Sequence, residues 1–172
     1  MHNVNLDQLQ QTIDKAHTDP GALRQPVNLD GQWQTEQGLA QFRGTITYPA
    51  GEVEFACDFP PPMGGTGAAP NPLAYCLWGG IACYAMTYAT EAAREGIELT
   101  ALRGTITTEV DQTRALGVTD NPPVEQITWN LQVQANAPDE ALDTIKDRAD
   151  ERCPGVYCMR NPIPLTTELG TS

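Results

Sequence analysis

The chain has 172 residues, enough for one domain of ordinary size plus an extra segment, with a core that needs no disulfide staples. Asp and Glu outnumber Lys and Arg by 22 to 10, giving a formal net charge of −12, and Lys15 and Lys146 are the only lysines. Such a surface repels phosphate backbones and anionic lipid, which makes nucleic acid and membrane surfaces poor partners.

Residues 6 to 16 place Leu6, Leu9, Ile13 and Ala16 at helical spacing, with Asn5 as a cap and Asp19-Pro20-Gly21 as the stop. Residues 22 to 31 read as a linker, which makes 1–31 a helical extension and 32–172 the principal domain. Three strand-like runs follow, at 32 to 37, 40 to 48 and 52 to 58, the last two joined by a turn at Pro49-Ala50-Gly51. In the third run Val53, Phe55 and Cys57 share one face, and Glu52, Glu54 and Asp58 the other.

Residues 59 to 70 form a Pro/Gly loop. Asn71-Pro72 then opens a helix that runs to about Glu95 and stops at Gly96. Its first four turns are apolar almost all round, so it is expected inside a core or at a subunit interface. No charged side chain occurs from 59 to 90, but five prolines and a Gly-rich stretch interrupt that run, so no membrane span is expected. Strands are expected at 99 to 112 and 124 to 135. In the second, Ile127, Trp129, Leu131 and Val133 alternate with Thr128, Asn130, Gln132 and Gln134 to give one wet face. Residues 138 to 152 form an amphipathic helix with Leu142, Ile145 and Ala149 on one stripe. Pro154-Gly155 ends it, and a last strand is expected at 156 to 168. The pentapeptide RGTIT occurs at Arg43–Thr47 and Arg103–Thr107 with no wider repeat around it. Strand runs mixed with segregated helices indicate an α+β fold. The free side of the long helix calls for a partner, most simply a second copy of the chain.

No export signal is visible, so a cytoplasmic location with reduced thiols is expected. Five cysteines are present, and an odd number argues against a complete disulfide framework. Cys57 reads as a small buried hydrophobe. Cys76 and Cys83 lie two turns apart on one helix face, with Gly79 and Gly80 between them admitting a backbone or a small ligand. Cys153 follows the stripe of Ile145 and Ala149 and points to the same core. At a helix C-terminus it is a poorer thiolate than Cys83. Cys158 lies five residues further on. The absence of CxxC pairs, with both histidines at positions 2 and 17, leaves no expected metal site or cofactor and removes Cys-His hydrolase schemes. The glycines of GGTGAAP match no phosphate-binding spacing.

Three segments together resemble the OsmC/Ohr (osmotically inducible, organic hydroperoxide resistance) superfamily: PPPMGGTGAAPNPLAY at 60 to 75, GGIACYAMTYATEAAREGIEL at 79 to 99, and DERCPGVYCMRNPIPL at 150 to 165. The resemblance covers residues 32 to 168. It implies an OsmC-like two-layer fold, with antiparallel or mixed sheets wrapped around central helices in an intertwined homodimer. It also implies a Cys-based peroxidase preferring organic hydroperoxides, with Cys83 as the peroxidatic and Cys153 as the resolving cysteine. The reductant would be a dithiol, in relatives often of the lipoyl type. Arg43 is the candidate for keeping Cys83 ionised, with Arg103 and Arg160 as alternatives. Ohr-type relatives place a Glu directly after the Asn-Pro to pair with the catalytic Arg. Here that position is Leu73. The departure keeps two other functions in view: a thiol protein for disulfide exchange or redox sensing, and a non-catalytic dimer binding an apolar ligand.

Overall fold

The structure, a computed structural model, describes Met1 and residues 3–170. They form an α+β fold in two units, one of Asp7–Trp78 and one joining Met1–Leu6 to the chain from Gly79 onwards.

In the first unit, α1 (Leu6–Thr18) carries Leu9, Ile13 and Ala16 half-buried on one side. Asp19 closes it off by accepting a hydrogen bond from Gly21 N–H at 3.1 Å at the start of a short 3-10 turn. The strands β1 (Gln32–Trp33), β2 (Phe42–Tyr48) and β3 (Gly51–Cys57) form one antiparallel sheet in the order β1-β2-β3. The register Tyr48↔Gly51 makes Pro49-Ala50 the expected tight turn. The first strand is much shorter than the 32 to 37 run expected.

Asp58 corrects the sequence reading. It lies past the end of β3 and is 2 % exposed, so it does not continue the face of Glu52 and Glu54. Its Oδ2 accepts from Thr66 N–H at 3.1 Å, Thr66 Oγ1 at 2.7 Å and Ala68 N–H at 2.9 Å, so the Pro/Gly loop is folded around one carboxylate. These bonds, the Thr66 hydroxyl first, hold Asp58 below the usual carboxylate range. Gly65 is required there, because a Cβ would lie 1.9 Å from the Phe59 carbonyl oxygen.

The long helix α2 (Pro72–Arg94) begins in this unit, with Asn71 Oδ1 accepting from Leu73 N–H at 2.8 Å, and continues from Gly79 in the other. It ends as expected at Gly96, whose φ of 70° suits glycine. Ile97 N–H reaches Ala92 O at 3.0 Å and Gly96 N–H reaches Ala93 O at 3.1 Å, a Schellman closure.

In the second unit, β4 (Leu99–Thr108) pairs antiparallel with β5 (Ile127–Ala135), with Leu102↔Val133, Gly104↔Leu131 and Ile106↔Trp129 in register. The expected alternation holds. Ile127, Trp129, Leu131 and Val133 are half-buried, and the residues between them are exposed. The dry face meets α2, whose Ile81 would sit 2.7 Å from a Cβ at Gly104. Then α3 (Asp139–Arg152) packs Ile145 and Ala149 into the same core, which joins Ile81, Tyr84, Tyr88, Ala92, Cys153 and Val156. Acidic Asp139 and Glu140 in its first turn and Arg152 in its last suit the helix dipole.

The last strand expected at 156 to 168 is absent. Pro154–Arg160 is a helix, α4, and 161–170 has no regular structure. Pro154 ends α3 but also occupies the first position of α4, where its missing N–H is harmless and its φ is already helical. Pro162 and Pro164 then remove two donors that a strand would need. Among the described residues, no helix is long and apolar enough to cross a membrane.

Candidate functional site

The site is assembled where α2 meets the junction of α3 and α4. Cys83 lies three residues after Gly80 on α2. Cys153 is the last cap of α3, its N–H bonded to Ala149 O at 3.0 Å. It is also the first cap of α4, its carbonyl accepting from Tyr157 N–H at 3.0 Å. The two sulfurs are 3.6 Å apart and both thiols are free. An S–S bond is about 2.0 Å, so closing it needs a movement of about 1.5 Å. Cys153 is 1 % exposed, whereas Cys83 is half-buried.

Gly155 is what permits this approach. A Cβ there would lie 3.2 Å from Gly80 O, 3.3 Å from Cys83 Cβ and 3.5 Å from Cys153 Sγ. Gly80 permits the next contact, since its Cβ would lie 2.6 Å from the Trp129 ring and 3.2 Å from Met159 Cε. Gly79, adjacent in sequence, has open space around it. The expected close approach at this glycine pair therefore belongs to one of the two.

Burial pushes the Cys83 thiol up. The contact with Cys153 and the charges of Cys153 and Cys158 push the same way, and the Gly155 backbone N–H alone opposes them. Among the described residues, the groups that act on Cys83 include no cation. Arg43, on β2, has its Nε 3.3 Å from Glu54 Oε1, with both side chains largely exposed. Glu54 is thus the carboxylate that Arg43 meets in this chain, in which Leu73 stands at the Ohr-type Glu position. Arg103 lies on the wet face of β4 opposite Gln132, and Arg160 lies 3.8 Å from Asp150.

A cavity of about 500 Å³ is lined by apolar Ile127, Trp129, Val156 and Met159 together with Tyr84, Asp150 and Lys146; Tyr84 is the sequence neighbour of Cys83, and Val156 and Met159 lie on α4, which Cys153 caps. Tyr84, next to Cys83, donates to Asp150 Oδ1 at 2.6 Å. Burial, then that bond, holds the phenol far above its ordinary range. Burial works against ionised Asp150, but Tyr84 and Lys146 together hold its pKa below the ordinary value. The Trp129 ring packs on Tyr84 at 5.7 Å between centroids, and its buried Nε1 has no hydrogen-bond partner among the described residues.

The remaining cysteines divide. Cys158 is exposed on α4. Cys57 is half-buried, and its thiol is raised by burial and by the charge of Cys76, an association that the sequence did not reveal. Also missed was Glu91, a carboxylate 4 % exposed at the end of the apolar helix. Its position, one α-helical turn before the polar stop, resembles an ordinary surface residue.

The OsmC-like protein family model matches residues 65–168, more than half of the chain and both cysteines of the junction. A search of the curated proteins returns no match. Among solved structures, an OsmC-like protein from Mycoplasma pneumoniae matches with a TM-score of 0.59 at 15% identity, over 80% of this chain and 89% of that one. An organic hydroperoxide resistance protein from Vibrio cholerae, with captopril bound in one of its active sites, matches with a TM-score of 0.54 at 17% identity, over 80% and 88%. An organic hydroperoxide resistance protein OsmC from Legionella pneumophila matches with a TM-score of 0.52 at 19% identity, over 80% and 92%. At these identities the structures speak for the fold, and the family model speaks for descent: the chain belongs to the OsmC-like protein family.

Proposed function

We propose that the chain is a thiol-dependent peroxidase that reduces organic hydroperoxides through Cys83 and Cys153. The observation that carries this reading is the 3.6 Å between two free sulfurs 70 residues apart in sequence. Cys83 acts first because it is the more accessible thiol. Its thiolate attacks the outer peroxide oxygen. An S–O bond forms, the O–O bond breaks, and the alcohol leaves with a proton. Cys153 then attacks the sulfenic sulfur, forming the S–S bond and releasing water. An external dithiol, of the lipoyl type in this reading, is oxidised as it restores both thiols.

Arg43 is the cation assigned to Cys83, and a homodimer is the working assembly, with residues 1–31 as an extension and 32–172 as the OsmC-like domain. Trp78 at 66% and Met86 at 71% exposure on the apolar α2 support a second copy covering that helix. Reduced thiols fit a cytoplasmic location.

The test is turnover of tert-butyl hydroperoxide with a dithiol. Cys83→Ser abolishes it, and Cys153→Ser leaves a sulfenic acid that dimedone traps. Wild-type protein that leaves both tert-butyl and lipid hydroperoxides intact, with several dithiols, ends this reading. A second reading, disulfide exchange or redox sensing, has Cys83 and Cys153 cycle without peroxide turnover; it too needs a depressed Cys83 thiol, so a measured pKa above about 8.5 counts against both.

A further inference from the structure

One side of α2 is fastened to α3 by polar groups at helical spacing. Tyr84, Tyr88, Glu91 and Glu95 follow one another at i, i+4, i+7 and i+11. Tyr84 donates to Asp150, Tyr88 donates to Leu142 O at 3.2 Å, Glu91 Oε2 meets Arg152 at 2.7 Å, and Glu95 pairs with Arg148. Glu91 differs from the other carboxylates. It is 4 % exposed, and its Oε1 is taken by Arg94 at 3.1 Å, so each oxygen holds one guanidinium. Arg152 is the last residue of α3 and the immediate neighbour of Cys153.

A buried carboxylate with both oxygens occupied by arginine is a costly device if all it does is stabilise, since an apolar pair packs as well. What it supplies is a fixed distance. Glu91 rides on the helix that carries Cys83, and Arg152 is one peptide unit from Cys153. We infer that the Glu91–Arg152 pair is the positioning clamp that holds Cys153 against Cys83. This rests on the thiol-pair reading and deepens it by naming the groups that set how readily the disulfide closes. The pair touches neither sulfur and acts through the end of α3.

The experiment is the equilibrium of the full chain with reduced and oxidised glutathione, reading the Cys83–Cys153 disulfide by mass spectrometry after alkylation. Arg152→Gln is the primary variant, because that side chain is 44% exposed and its loss leaves the core filled. It lowers the equilibrium constant for disulfide formation by about tenfold. Glu91→Gln does the same, and the double variant is no worse than either single, as a shared interaction requires. Glu95→Gln, removing the outer and exposed pair, stays within about twofold. A folded Arg152→Gln protein with the wild-type equilibrium overturns the clamp alone. Wild-type protein that forms no Cys83–Cys153 disulfide under oxidised glutathione overturns the clamp and the thiol-pair reading together.

Discussion

Gly79 and Gly80 are adjacent on α2, yet a methyl group at each meets opposite surroundings, and that difference is measurable. Replacing a helix-interior glycine with alanine gains about 1 kcal/mol from backbone entropy at either position. At Gly79 nothing among the described residues opposes the gain, because a Cβ there meets open space. At Gly80 the Cβ would lie 2.6 Å from the Trp129 ring atom Cζ2 and 3.1 Å from Cη2. A ring held by Tyr84 and by the sheet beneath it does not swing aside as a flexible chain end does, so overpacking of about 1–3 kcal/mol applies. Gly79→Ala therefore stabilises by about 1 kcal/mol, while Gly80→Ala is neutral or destabilises by up to about 2 kcal/mol.

For a chain of this length about 1 kcal/mol moves the thermal midpoint by about 2–4 °C, so a separation of about 2 kcal/mol is about 6 °C. Differential scanning calorimetry of the two variants beside wild type reads it directly. Gly80→Ala also displaces the α2 segment on which Gly155 and Cys83 meet, so its Cys83–Cys153 disulfide closes more slowly under diamide. Equal midpoint shifts of the same sign in both variants refute the packing argument. A loss of stability at Gly79→Ala that depends on protein concentration instead places a second copy on that helix face.

Three further outcomes test the proposed site and the fold. If Arg43 is the cation that meets Cys83 in the working assembly, as proposed, Arg43→Ala raises the midpoint of Cys83 alkylation against pH, because burial then acts on the thiol without an opposing charge; identical midpoints in wild type and variant remove Arg43 from the site. Asp58 has a folded-state pKa below its unfolded value, so its contribution is present above the unfolded carboxylate's pKa and is lost as pH falls through the folded one. Limited proteolysis of the 59 to 70 loop accelerates in that acid window for wild type and is fast at every pH for Asp58→Ala; a variant loop as resistant as wild type contradicts the folding of the loop around this carboxylate. Ile145→Ala, at 1 % exposure in the core beside Cys153, costs about 2–5 kcal/mol in urea unfolding, and a cost below about 1 kcal/mol means that the core described for this unit is wrong.

The parts of the fold that were legible in the sequence are those in which one residue has one neighbour set. The alternation of Ile127 to Gln134 names a half-wet strand, and Asn71-Pro72 with Gly96 marks both ends of α2, because capping and pleat are local chemistry. Pro154-Gly155 was ambiguous for a local reason too. The same dipeptide that stops one helix starts another, and only tertiary packing, with Val156 entering the core, selects the second meaning. Asp58 was misread because its burial is decided by Thr66 and Ala68, eight and ten residues later. Gly79 and Gly80 could not be told apart, since a rotation of about 100° along a helix changes the neighbour without changing the residue type. The proximity of Cys83 and Cys153 is legible partly through the stripe of Ile145 and Ala149 and partly through family resemblance; the glycine beside both, Gly155, reads in the sequence only as a helix stop.

The balance at Cys83 decides which chemistry the junction favours. Raising a thiol's pKa above ambient pH lowers its thiolate fraction about tenfold for each pH unit, while the more basic sulfur recovers about threefold in intrinsic nucleophilicity. The net loss in the first step is then about threefold per unit, and it falls on disulfide exchange and peroxide reduction alike because both begin with the thiolate. The second step is unimolecular and depends on distance, so 3.6 Å between the sulfurs serves it whatever the thiolate fraction. The chain by itself is therefore better prepared to close a disulfide than to begin the reaction. In the proposed peroxidase, a cation brought to Cys83 would supply the missing half. The alkylation midpoint of Cys83, compared between wild type and Arg43→Ala, therefore tests the first step more directly than any measurement on Cys153.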